Sequence, residues 1–427
     1  MNTWAAHQAS HRPDEPDGSG LISSSFSALL AATANRHATR VAFRDPVGRE
    51  DWSGRPAIEW TYAVARQIVS RLSARFRAFD LAPGSIVGVA LAGSSESCLA
   101  ILAIDDAGLV PCLLPIAWSE SDLAAAINVA DVQALVTQGV LGDERPAEMF
   151  CRIAAGCFGL RFLCCFGPSV PDGVIDLDRV LIDVNPGARD DVDRDEGGPG
   201  WVTFDKCEPV RPVFRPREGW IAAAMTFLVV AEIGPGERIL TLMAPDDLPG
   251  LVTSVVASLL SGATLEQHGL FSGEALVAAC RLQTPTHLVA PEWMEPALAE
   301  ANLPLTIRSV ILIHRAPSRF KVRTALKTNV IDVLAFDEWA IVAGRRDLKG
   351  QLAAALEEQS SSVERGLLRV RQDEVGSLKF AGPAAGAIEL LRGSVATAAA
   401  STIQCRPSRF KVDRFAGIAI GVSESAP

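Results

Sequence analysis

The chain has 427 residues, 48% of them hydrophobic and 21% charged, with 40 Lys and Arg against 50 Asp and Glu for a formal net charge of −10. This is the balance of a soluble globular protein with apolar material for two or more lobes. The acidity excludes a general nucleic-acid or anionic-membrane binder, because either needs a basic field to recruit its partner. Residues 1–25 are polar and rich in Ser, Pro and Asp. They are expected to form a disordered leader rather than a signal peptide. No uncharged run is long enough to span a bilayer, so the protein is expected in the cytoplasm. Nine scattered cysteines, with Cys164 and Cys165 adjacent and no CxxC pair, predict buried free thiols and no zinc site.

In chain order, the spacing of Phe26, Leu29, Leu30 and Thr33 predicts a helix that leads to a short strand at Val41–Phe43. A second helix, with Val64, Ile68, Leu72 and Phe76 on one face, ends at LAPG, and the strand IVGVALAG follows. Ser94 or Ser95 can cap the next helix and Gly108 closes it before LVPCLLPI, giving a strand–helix–strand unit. The helix SDLAAAINVA and the strand ALVTQG continue an alternation that predicts a parallel sheet wrapped by helices. A ligand of such a sheet is expected at the carboxyl ends of its strands, but LAGSSE has one glycine and no GxGxxG, which argues against a dinucleotide site.

The acidic, Gly-rich stretch 187–200 divides a first α/β lobe, 26–196, from a second, 200–350. In the second lobe RILTLMAP, ATLEQH, THLVAP and TIRSVILIHRA read as strands, LPGLVTSVVASLLSG as a buried helix and SGEALVAACRL as an amphipathic one. NVIDVLAFDEWAIVAGRRD continues the sheet. Short β-type pieces over 363–427 predict a small β-subdomain.

The order of these segments, from the WTY entry and LAPGSIVGVAL through DDLPGLVTSVVASLLSGATL to TPTHLVAP, resembles the N-terminal domain of the adenylate-forming superfamily, the acyl-CoA synthetases and their relatives. The resemblance implies two stacked α/β lobes with mainly parallel sheets plus the small β-subdomain. It also implies ATP and Mg as cofactors of an active member. Adenylation requires a donor-rich phosphate loop, a carboxylate for Mg²⁺ and a cation over the reaction centre.

Against that pattern, the strand WVTF is followed by DKCEPVRPVFRP, which lacks glycine and carries three prolines that remove backbone donors. Lys206, Arg211 and Arg215 are the remaining nucleotide-binding candidates, or else a solvated basic loop. Glu338 takes the position of the family's metal-binding glutamate in VLAFDEWAIVAG, with Asp337 beside it, and is either a relict Mg ligand or a loop glutamate. Asp247 falls where the family has a histidine near the acyl chain, and is either a substrate-facing acid or a helix cap. Gly250 permits an acyl pocket, and His287 is a substrate-binding candidate or a satisfied core histidine. The ribose-binding Asp finds no equivalent in AASTIQCRPSRF. With the chain stopping at Pro427, the mobile C-terminal domain and its lysine are expected to be absent.

These readings lead to an acyl- or aryl-acid-binding or partner subunit with impaired adenylation. The alternatives are an active acid–CoA ligase whose lysine comes from another polypeptide, or a structural subunit of a larger assembly.

Overall fold

The computed structural model describes residues 25–183, 198–205, 210–321, 325–346, 356, 366–373, 376–390, 406–416 and 418–424. Strands β1 (Val41–Arg44) and β2 (Glu59–Thr61) precede a helix over Tyr62–Arg77 that begins where the Thr61 hydroxyl accepts the Val64 amide at 3.3 Å. Its inward stripe is Tyr62, Ala65, Ile68, Leu72 and Phe76. Val64, expected on that face, is 38% exposed because it lies outside the stripe that Tyr62 starts.

Next come β3 (Ile86–Val89), β4 (Val110–Leu113), β5 (Val132–Gln138), β6 (Phe162–Phe166) and β7 (Ile175–Asp176). Between β3 and β4 the helix Ser95–Asp106 is capped by Ser94, which exchanges hydrogen bonds with Ser97. At its far end Gly108 adopts φ +77°, the left-handed conformation that a side chain would resist. The chain then forms β8 (Gly200–Phe204) and β9 (Pro212–Pro216), an antiparallel hairpin. Strands β10 (Arg238–Thr241), β11 (Thr264–Gln267), β12 (Thr286–Pro291), β13 (Ile307–Arg315), β14 (Ser318–Arg319), β15 (Asn329–Phe336) and β16 (Ala340–Arg345) follow. The chain ends in β17 (Arg369–Gln372), β18 (Ser377–Ala381), β19 (Ile388–Glu389), β20 (Arg406–Phe415) and β21 (Ile418–Glu424).

Three sheets result, in the orders β19-β9-β8-β4-β3-β5-β6-β7, β16-β15-β13-β12-β10-β11-β1-β2 and β14-β21-β20-β18-β17. The first two are parallel except at the β8–β9, β9–β19, β15–β16 and β1–β2 pairs, and the third is antiparallel throughout. This is the α/β architecture with a small β-subdomain that the sequence predicts. Sheet membership, however, crosses the linear division at 196/200. β1 and β2 pair within the second sheet, while β8, β9 and β19 extend the first.

One core cluster joins the two large sheets and draws on the helices Tyr62–Arg77, Ser95–Asp106 and Arg217–Ala231. Ser95 through Asp105 are all buried, which explains why that helix has no polar face to read. The segment LPGLVTSVVASLLSG, expected as one buried helix, is a helix at Leu248–Leu251, a π-turn at Val252–Val256 and a helix at Ala257–Ser261. There the Thr253 hydroxyl donates to the Pro249 carbonyl at 2.7 Å and Ser254 donates to that of Gly250. Side-chain donors thus compete for the carbonyls at the start of the helix, where the regular ladder gives way. The seven cysteines among the described residues are free, and six are buried. Among the described residues no helix is long and apolar enough to cross a membrane.

Candidate functional site

A doubly wound sheet offers a ligand crevice beyond the carboxyl ends of its parallel strands, because there the loops diverge to either side. In the second sheet those ends are the loop after β10, the end of β13 and the tight turn between β15 and β16. Asp247, Arg315 and Glu338 lie there, one on each. The first sheet contributes the β8–β9 hairpin, which carries Thr203 and Arg215 to the same junction.

Glu338 is 2% exposed, and its Oε2 accepts both the Thr203 hydroxyl at 2.7 Å and the Leu248 amide at 2.9 Å. One carboxylate oxygen therefore ties the first sheet, the helix start after β10 and the β15–β16 turn together. Asp337, in the left-handed region at φ +48°, points elsewhere. Its carboxylate accepts Arg409 of β20 at 2.9 and 3.1 Å and so anchors the small sheet.

Arg215 is 1% exposed. Its guanidinium donates to the carbonyls of Ala384 at 2.6 Å, Glu338 at 2.8 Å and Trp339 at 3.0 Å, and lies 5.5 Å over the Trp220 ring. Burial pulls its pKa down to about 10 while Glu338 opposes the change, so it is a cation at neutral pH. The expectation of Arg215 as a solvated loop cation is corrected: it lies in a strand, opposite Trp201, and is turned inward. Arg211 stays near the surface, 3.7 Å from Glu389 of β19, so it does not join Arg215. Lys206 lies outside the described residues, as do residues 399–405 of the ribose-motif segment and most of the leader, while 406–410 of that segment open β20.

Asp247 is 1% exposed, caps the helix at Leu248 by accepting the Gly250 amide at 2.9 Å, and forms an ion pair with Arg315. Burial pulls the Arg315 pKa down, but Asp247, Glu338 and Asp246 together hold it above its usual value. Since β12 lies between β13 and β10, the Arg315–Asp247 pair crosses the mouth of the crevice. Of the two readings of Asp247, the helix cap is the one seen in this geometry.

A Cβ at Gly250 would stand 2.1 Å from the Ala244 carbonyl oxygen, so glycine is needed for the helix to pack against its own entry loop. His287 sits at the amino end of β12, away from Asp247 and Glu338. Its Nδ1 is 2.8 Å from the Ser309 hydroxyl and its Nε2 3.2 Å from Glu237, and burial holds its pKa below the usual value against the pull of Glu237. Of the three substrate-binding candidates, Asp247 and Gly250 are brought together at one helix start and His287 lies apart.

The residues that do converge fit a Mg ion poorly. A divalent cation needs carboxylate oxygen and several waters. Here Glu338 Oε2 already accepts two donors, and the Arg215 and Arg315 guanidiniums supply the positive charge. Sequence reasoning missed Arg315 and Thr203. The available signal was the polar His314–Arg315 step that ends the apolar run Val310–Ile313.

The model of the AMP-binding enzyme family matches residues 30–157. A linear gramicidin synthase from Brevibacillus parabrevis is 25% identical over 267 residues, which is 61% of this chain, and the chain spans only 3% of that relative's length. Among solved structures, a benzoate CoA ligase from Burkholderia xenovorans superposes with TM-score 0.70 at 14% identity, covering 94% of this chain and 80% of the ligase. An anthranilate CoA ligase in complex with anthranoyl-AMP gives TM-score 0.73 at 11% identity, over 94% of this chain and 76% of that one. The amide bond synthetase of Marinactinospora thermotolerans gives 0.69 at 17% identity, over 93% and 78%. The family match lies in the first lobe, residues 30–157, and the fold is shared with these acid–CoA ligases along nearly the whole chain.

Proposed function

We propose that the chain is an acyl- or aryl-acid-binding subunit built on the adenylate-forming scaffold, with adenylation impaired. The observation that carries this reading is the engagement of Glu338 by Thr203 and Leu248, with Arg215 and Arg315 as its counter-charges. Members of the family consume ATP, and that reaction depends on a carboxylate able to hold the metal and on a loop that cradles phosphate. In this chain the carboxylate serves as a structural acceptor, and the Arg315–Asp247 pair spans the crevice where a nucleotide would enter. An acid ligand is supported by the solved neighbours, whose names include benzoate and anthranilate ligases.

The test is MgATP binding to the purified chain by calorimetry, followed by assay for AMP and pyrophosphate with benzoate and anthranilate. Absence of MgATP binding together with saturable binding of an acid is the expected result. A ligand at a hundred times its dissociation constant stabilises the fold by about 2.7 kcal/mol, which a thermal melt detects readily. Turnover by the chain, alone or with a second polypeptide supplying a lysine, would overturn the proposal in favour of an active ligase.

A further inference from the structure

At the opposite edge of the second sheet from the crevice, a cavity of about 420 Å³ opens between the end of the helix Glu295–Glu300, the following loop and the amino ends of β13 and β15. Its floor is apolar. Leu298, Ile307 and Leu326, which are 2%, 3% and 8% exposed, belong to the core beneath it and are among its lining residues, with Leu303 packed against them. Two cations stand among the lining residues, Arg308 and Lys327, both exposed, and no carboxylate is present among them. The walls are tied together: the Thr328 hydroxyl lies 2.9 Å from the Ile307 carbonyl and 3.2 Å from that of Arg308, and Lys327 Nζ lies 3.5 Å from Asn302 Oδ1.

We propose that this cavity binds a small amphiphilic carboxylate, its apolar body on Leu298, Leu303, Ile307 and Leu326 and its charge between Arg308 and Lys327. The size falls in the range of small-molecule pockets, roughly 300–1,000 Å³, whose usual form is an apolar lining with a few placed polar groups. Two cations and no acid in the lining, on a chain of net charge −10, select an anion over a neutral or cationic ligand. The length of β13, at about 3.3 Å per residue, puts this cavity roughly 26 Å from Arg315, so it is a separate site from the crevice.

The experiment is calorimetric titration of the full chain with octanoate, and with 1-octanol as the neutral probe of equal length. Saturable octanoate binding is expected, with 1-octanol at least tenfold weaker. The double variant Arg308→Glu/Lys327→Glu, both positions being exposed, is expected to keep the wild-type melting temperature and to lose at least tenfold in octanoate affinity. Ala299→Trp, which fills the cavity and leaves both charges in place, is expected to lose binding as well. Arg315→Ala, at the crevice, is expected to leave it unchanged. No saturable binding to the wild type, full affinity in the double charge variant, or loss confined to Arg315→Ala would each overturn the assignment.

Discussion

Replacing Arg215 with Met tests whether this guanidinium holds the two lobes together or is a solvated cation of a degenerate phosphate loop. The side chain is 1% exposed and satisfies two buried carbonyls at 2.6 and 2.8 Å and a half-buried one at 3.0 Å beside the Glu338 carboxylate. Each buried acceptor that loses its donor costs about 1–3 kcal/mol, and removing one partner of a buried charge pair costs about 3–5 kcal/mol in all. These overlap, since the same desolvated groups enter both, and Met recovers part of the apolar contact, so the expected loss is about 3–5 kcal/mol. Arg215→Lys keeps the charge and loses the planar fork that reaches three carbonyls, and is expected to fall between. The assay is urea unfolding at pH 7 followed by tryptophan fluorescence, with Trp220 lying 5.5 Å beneath the guanidinium as a local reporter. In a cycle with Glu338→Gln, the coupling energy should exceed about 1 kcal/mol, as residues that share partners do not add independently. A loss within about 0.5 kcal/mol, the usual range of surface substitutions, would refute the reasoning and return Arg215 to the surface loop.

Gly250→Ala should destabilise by at least about 2 kcal/mol in the same assay, because its Cβ would meet the Ala244 carbonyl at 2.1 Å and backbone must shift. Asp105 is fully buried, and burial pushes its carboxyl up to about 7 although Arg217 pulls the other way. Its folded pKa lies above the unfolded one, so the folded state keeps the proton longer and stability falls as pH rises from about 4 to about 7. Asp105→Asn, measured by thermal melts, should gain on the wild type progressively between about pH 4 and about pH 7 and no further above that. For His287 the sign is reversed: the folded pKa lies below the unfolded value, so stability is lost as pH falls through about 6.5. His287→Gln should flatten that part of the profile and leave acid binding unchanged, since the ring faces Ser309 and Glu237 rather than the crevice.

The site residues differ in how far they could be read in advance. Asp247 was legible as a cap because an Asp three residues before Gly250, ahead of an apolar run, signals a helix start through contacts only three residues apart. Glu338 was legible as a position but not as a role. Its partners Thr203 and Leu248 are 135 and 90 residues away in the chain. Arg215 was misread because three prolines around it suggest an irregular loop, whereas the hairpin register opposite Trp201 decides which way it faces.

Taken alone, the sequence determined what short-range physics controls. The alternation of strands and helices, the Ser94 cap, the Gly108 turn and the β-rich end all follow from periodicity, capping and backbone preferences within a few residues. Only the tertiary structure decided that β1 and β2 leave the first lobe for the second sheet and that β8, β9 and β19 return to the first. Parallel strands are joined by long crossovers, so nothing local marks which neighbour a strand will take. The same long-range pairing placed Thr203, Arg215 and Arg315 around Glu338 and Asp247, and with them the balance of charge in the crevice.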